Sequence, residues 1–272
     1  MDRYVTVGDA RLRYRDEGDG PAVILVHGWT LDLEMWDPQV AALSAAFRLV
    51  RFDRRGYGLS GGRPSGEQDV TDIAALCAHL GLDSVALIGM SQGARSVLRF
   101  AGNAPEHVWA VILDGPPAMD RIEVAGEVPL THFQEVVRTQ GLEAFRREWS
   151  SHELVQLHTR DPQMRSLVDR MIGRYPGHDI AGGGVAGASG APVSLNSVVA
   201  PTLVLSGAHD LASRVRAAQL LSARLPSAEH RSIAGAGHLA NLDQPTVYSE
   251  LCRAFFAVTR AELQRRSRNA KR

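Results

Sequence analysis

Gly89-Met90-Ser91-Gln92-Gly93 sets a serine between two glycines, directly after the apolar run Ser84–Ile88 and directly before the helical pattern Gln92–Asn103. That context suits a nucleophile. A sharp strand-to-helix turn lifts the hydroxyl clear of a sheet, and the helix N-terminus offers partial positive charge to an anion forming beside it. A serine hydroxyl is a weak nucleophile at neutral pH and needs an adjacent base. Of the ten histidines, His238 is the best placed. It lies in Gly235-Ala236-Gly237-His238, a short loop after the predicted strand Glu229–Ile233 and before the last helix, for which Asp243 reads as a cap and Pro245 as the first turn. The base needs an orienting carboxylate. Asp210 ends Ser206-Gly207-Ala208-His209-Asp210, just after the predicted strand Thr202–Leu205; Asp114, closing Val111-Ile112-Leu113-Asp114, is the rival. His209 reads as a loop residue. The developing oxyanion needs two donors. The Gln92 backbone N–H is one, and the Trp29 N–H, in His27-Gly28-Trp29-Thr30 after the run Ala22–Val26, is the other.

These residues require a scaffold that brings several loops to one edge. Tyr4–Val7 and Arg11–Arg15, joined at Gly8-Asp9, read as a hairpin. Ala22–Val26 is a continuous apolar run, the mark of a strand buried on both faces. Met35–Ala46 has helical spacing, Arg48–Phe52 reads as a strand, Glu67–Leu80 as a helix stopped by Gly81, and His107–Leu113 as a strand. This alternation predicts an α/β fold, a parallel sheet with helices on both faces. From Pro116 to Ala200 the pattern changes: Leu130–Gln140, Leu142–His158 and Pro162–Tyr175 read as helices, and Gly182–Gly190 as a flexible loop. Strand–helix alternation then resumes, with helices expected over Leu211–Leu225 and Pro245–Thr259. The expected division is a discontinuous core of 1–115 and 200–262, a helical cap insertion over 116–199, and a basic, disordered tail over 263–272.

Composition narrows the function classes. The chain has 272 residues, 30 Lys+Arg against 30 Asp+Glu, and no net charge, so it lacks the basic surface of a nucleic-acid binder. Cys77 and Cys252 lie in apolar helical stretches and read as small buried hydrophobes, not as a disulfide framework or metal site. No leader pattern opens the sequence and no apolar run approaches the ~20 residues of a membrane span. The expectation is a cytoplasmic enzyme with no membrane partner; oligomeric state is not legible.

Together these motifs resemble the α/β-hydrolase superfamily. The likeness rests on His27-Gly28-Trp29, on Phe52-Asp53-Arg54-Arg55-Gly56-Tyr57-Gly58-Leu59-Ser60, on the Ser91 turn, on Ala200-Pro201-Thr202, on Asp210 and on Gly237-His238. The order Ser91, Asp210, His238 matches the superfamily's Ser…Asp…His order. The resemblance implies a mostly parallel eight-stranded sheet, with Asp53 and Arg54 shaping a turn near the site. Leu31–Ser44 is similar to bacterial 3-oxoadipate enol-lactonases and related small esterases. Serine at position 91 disfavours haloalkane dehalogenase and epoxide hydrolase chemistry, which uses an aspartate. Arg95, one turn beyond Ser91, reads as a solvated or ion-paired helix residue pointing away from the sheet, with a partner for a substrate carboxylate as the other reading.

The chemistry this predicts is cofactor-free and metal-free hydrolysis of a small ester or lactone. Met90, His132, Phe133, Phe145 and Trp149 are candidate pocket residues. Three alternatives use the same scaffold: carbon–carbon hydrolysis of a vinylogous diketone by the same triad, a cofactor-independent oxygenase using the His/Asp pair as base, and a non-catalytic ligand-sensing protein.

Overall fold

The computed structural model describes residues 1–119, 128–182 and 194–270. Eight strands form one sheet: β1 (Arg3–Val7), β2 (Ala10–Glu17), β3 (Ala22–Val26), β4 (Arg48–Phe52), β5 (Val85–Met90), β6 (Val108–Asp114), β7 (Thr202–Gly207) and β8 (Ala228–Ile233). Their spatial order is β1-β2-β4-β3-β5-β6-β7-β8. β2 runs antiparallel to both neighbours; every other adjacent pair is parallel.

The central strands read as unbroken apolar runs because both faces are covered. Along β3, Val23 and Leu25 enter the core beneath α1 (Asp37–Leu43), while Ala22, Ile24 and Val26 enter the opposite core. On that second face lie α2 (Gln68–Leu80) and α3 (Gln92–Asn103), through Ile73, Leu76, Val97 and Leu98. Between β6 and β7 stand α4 (Leu130–Gln140), α5 (Leu142–Trp149), α6 (Pro162–Arg174) and the short α7 (His178–Ala181). The chain closes with α8 (Ala212–Arg224), a single turn α9 (Ala240–Asp243) and α10 (Pro245–Ala270).

Several expectations are revised. The helix expected over Leu142–His158 stops at Trp149, and a 3-10 turn, Glu153–Val155, follows. Polar side chains end it: Ser150 Oγ donates back to the Arg146 carbonyl at 2.9 Å, and His152 Nδ1 accepts the Leu154 N–H at 3.2 Å. The helix expected from Met35 begins as a 3-10 turn, Leu33–Trp36, because the Asp32 carboxylate caps the Glu34 N–H. The tail expected to be disordered continues as α10 to Ala270, its last turns exposed. The glycine-rich loop at 182–190 lies outside the described residues except Gly182. Cys77 and Cys252 are buried free thiols. Among the described residues no helix is long and apolar enough to cross a membrane.

Candidate active site

The parallel strands deliver their following loops to one edge, as in open α/β sheets generally. Ser91 follows β5 with φ 52° and ψ −115°, a conformation that only a forced turn imposes on a side-chain-bearing residue. Two contacts hold it there. The Ser91 N–H donates to the Asp114 carbonyl at 2.8 Å. Gly93 permits the approach of β3, since a Cβ there would lie 2.3 Å from the Val26 carbonyl oxygen.

His238 follows β8 and is 4% exposed; its Nδ1 lies 2.9 Å from Asp210 Oδ2. Asp210 Oδ1 also accepts the Leu211 N–H at 2.7 Å, which fixes the carboxylate plane. The imidazole is thus anchored at Nδ1, leaving Nε2 as the nitrogen for proton transfer. The rival Asp114 does not hold His238. Its fully buried carboxyl is pushed well above the usual carboxylate range by burial and by the nearby Asp210 charge. It faces Tyr248 and Cys252 of α10, which burial and Asp114 push upward in turn.

The loop after β3 is shaped by His27. This ring is fully buried, donates from Nδ1 to the Gly28 carbonyl at 2.8 Å and accepts the Arg54 N–H at Nε2 at 2.9 Å. Burial and the neighbouring Arg54 charge lower its pKa to about 3, so it stays neutral and serves as a brace, not a base. Arg54 continues the brace: it pairs with Asp69 at 2.6 Å and donates to Gln92 Oε1 at 3.1 Å. Asp53 accepts the N–H groups of Leu33 and Leu59. The backbone N–H groups of Trp29 and Gln92 have no hydrogen-bond acceptor among the described residues.

A cavity of about 150 Å³ is lined by Ser91, His238, Trp29 and Gln92, with Met90 and Trp149 also facing it. A cavity of that size accommodates a benzene-sized molecule. Three expected pocket residues are elsewhere. Phe133 and Phe145 point between α4 and α5, edge to face at 5.2 Å, and both pack on Trp149 behind the wall. His132, one position round α4, is exposed and bonds Glu148. Arg95, read as a solvated or ion-paired residue, is half-buried. It lines the cavity, as does Arg214, and donates to the Ala118 carbonyl at 3.1 Å. Burial and the charges of Arg99, Arg214 and Arg54 lower its pKa to about 10.

Two more residues belong to the site without carrying a motif. Gly115, at φ +51°, lies against the His238 ring; a Cβ there would stand 2.9 Å from Nδ1 and Cε1. Asp243 was expected to cap α10. It turns inward instead, and accepts the N–H groups of Gly237 (2.8 Å), His158 (2.7 Å) and Thr159 (2.9 Å). It thereby joins the His238 loop to the segment preceding α6. His209, read as a loop residue, stacks on His158 with ring centroids 5.0 Å apart.

Comparison with known proteins agrees with this architecture. Residues 21–245 match the family model of the alpha/beta hydrolase fold. The chain is 25% identical over 266 residues to 3-oxoadipate enol-lactonase 2 of Acinetobacter baylyi, covering 92% of this chain and 94% of that protein. A 35% identity to the non-heme haloperoxidase of Rhodococcus erythropolis extends over 128 residues only, 44% of this chain and 47% of that protein. Among solved structures, a thermophilic esterase from Thermogutta terrifontis superposes with a TM-score of 0.81 at 26% identity, covering 95% of this chain and 99% of that one. The chain belongs to the alpha/beta hydrolase fold family. Its likeness along nearly its whole length to esterases and enol-lactonases makes it a hydrolase of that fold.

Proposed function

We propose that this enzyme hydrolyses a small carboxylic ester or lactone through an acyl-enzyme on Ser91, with His238 as base and Asp210 as its orienting acid. The observation that carries the reading is the shared cavity lining. The strained Ser91 and His238, the latter held by Asp210, line one cavity with Trp29 and Gln92, whose backbone N–H groups have no other acceptor among the described residues. Such N–H groups stabilise charge only where it develops.

In this mechanism Ser91 Oγ attacks the carbonyl carbon while its proton passes to His238 Nε2. The carbonyl oxygen becomes an oxyanion held by the Trp29 and Gln92 N–H groups. The carbon–oxygen bond to the alcohol breaks, and His238 returns the proton to the departing alkoxide. Water then repeats the sequence: His238 takes its proton, hydroxide attacks the acyl carbon, and Ser91 leaves reprotonated. Asp210 stabilises the imidazolium in both halves. The helices within 116–199 act as a cap over a core formed by 1–115 and 200–262. The cavity size supports a short acyl chain or small ring.

The test is Ser91→Ala on short acyl nitrophenyl esters and lactones. Turnover by the purified variant falls by about 10³-fold or more. A fluorophosphonate labels the wild type on the peptide carrying Ser91. Activity that survives in the variant, or a label on another peptide, overturns the reading.

A further inference from the structure

We infer that Asp179 is a positioning residue for the loop that carries the Trp29 N–H, so that the oxyanion site is complete only when the helices between β6 and β7 are seated on it. This rests on the reading of Trp29 as an oxyanion donor given above.

The observation is a convergence of ties on six consecutive residues. Asp179, on α7, is 5% exposed, and its Oδ2 accepts the indole N–H of Trp29 at 2.8 Å and the Tyr57 hydroxyl at 2.9 Å. Its Oδ1 accepts the Tyr175 hydroxyl. On α5, the Trp149 indole N–H donates to Thr30 Oγ1 at 2.7 Å. From α6, Arg174 donates to Asp32 and to Glu34, both at 2.7 Å. Three elements of the inserted segment therefore grip residues 29, 30, 32 and 34, immediately after the strand that ends at Val26.

The gripped backbone is strained. Thr30 has φ 63°; among the described residues it and Ser91 are the only non-glycines in the left-handed region. For a β-branched residue this conformation is an outlier, and it persists only where surroundings over-determine it. The Trp149 bond to its hydroxyl and the Asp179 bond to the preceding indole supply that determination from either side. Released, Thr30 relaxes toward negative φ and carries the Trp29 Cα with it, so the Trp29 N–H no longer points at the Ser91 carbonyl site. A buried carboxylate is a weak device for stability alone. Here it fixes the directions of three aromatic side chains, one of which belongs to the donor residue. Asp179 is absent from the cavity wall, so it acts through Trp29 and not on substrate.

The experiment compares wild type with Asp179→Ala, using an ester and two ketones of its acyl chain. The trifluoromethyl ketone accepts Ser91 Oγ to form a hemiketal oxyanion, with the serine proton passing to His238; the plain methyl ketone binds as a ground-state analogue. The expected result is a 10- to 100-fold fall in kcat with KM within threefold. The inhibition constant for the fluoroketone rises by the same factor and that for the methyl ketone stays unchanged. Wild-type kcat and fluoroketone affinity in the variant overturn the inference, as does an equal loss of affinity for both ketones. If Asp179→Ala does not fold, Asp179→Leu keeps a branched side chain of similar shape that accepts no hydrogen bond, and the same pattern is read from it. A wild type that the fluoroketone does not inhibit overturns the serine mechanism itself, which separates the two failures.

Discussion

At the residue scale, the candidate site divides into side chains suited to the proposed chemistry and a side chain whose absence makes room for them. Ser91, His238 and Asp210 were legible because each has a reactive side chain in a loop after a predicted strand. Gly115 was not, because its contribution is the lack of a Cβ where the loop after β6 meets the ring of a residue far along the chain. Nothing in Leu113-Asp114-Gly115 reports that approach. The conspicuous residue there, Asp114, reads as a rival acid, yet it is fully buried, with its carboxyl pushed upward by burial and by the Asp210 charge. Gly115→Ala tests the packing. The new methyl would lie 2.9 Å from the imidazole and the residue would keep φ +51°. Because a misplacement of about 1 Å can cost 10² in rate, kcat/KM is expected to fall by about 10- to 100-fold. Steady-state kinetics beside a thermal melt checks this: a full-activity Gly115→Ala enzyme would mean that His238 has room to shift.

At the element scale, strands were easier to read than the helices over the site. β3 and β5 are apolar throughout because both faces are buried; β3 keeps the bounds expected for it, while β5 runs Val85–Met90, one residue later at its start and two at its end than the expected Ser84–Ile88. α6 was equally plain: Asp161 caps it, accepting the Gln163 N–H at 2.8 Å, and Pro162 opens it. The same reasoning misplaced Asp243, which has the right residue type and spacing to cap α10. The buried Gly237 N–H, six residues back, and the His158 and Thr159 N–H groups from the segment before α6 compete for that carboxylate, and these three donors win over a cap on α10. The consequence is a joint between the His238 loop and the segment at His158 and Thr159. Asp243→Ala leaves the Gly237 donor buried without its acceptor and loosens the other two. Destabilisation of about 2–4 kcal/mol is expected, since one stranded buried donor costs about 1–3 kcal/mol. A urea melt measures it, and a change below about 0.5 kcal/mol would show that the joint contributes little.

At the scale of the whole molecule, charge balance hides large opposing local effects. The chain carries no net charge, yet Arg13, Arg54 and Arg55 are buried against carboxylates. The buried groups whose pKa values shift on folding therefore shape how its stability changes with pH. His27 is the clearest of them. Burial and Arg54 lower its pKa from 6.5 to about 3. Below pH 6.5 the unfolded chain takes up a proton there and the folded one does not, so stability is full above 6.5 and falls as pH drops toward 3. At the limit this one group is worth on the order of 5 kcal/mol. Asp53 acts in the opposite sense: burial and the Asp32 charge raise it from 3.8 to about 6. Between those values the folded chain binds the extra proton, so acidification favours folding. The wild-type curve mixes the two, and His27→Gln separates them. The variant has lower stability at pH 7.5, because its side chain cannot reproduce both ring bonds. Its stability falls less steeply than that of the wild type between pH 6.5 and 4. Urea midpoints taken across that range decide the matter, and parallel curves for the two proteins would mean that His27 titrates normally in the folded state.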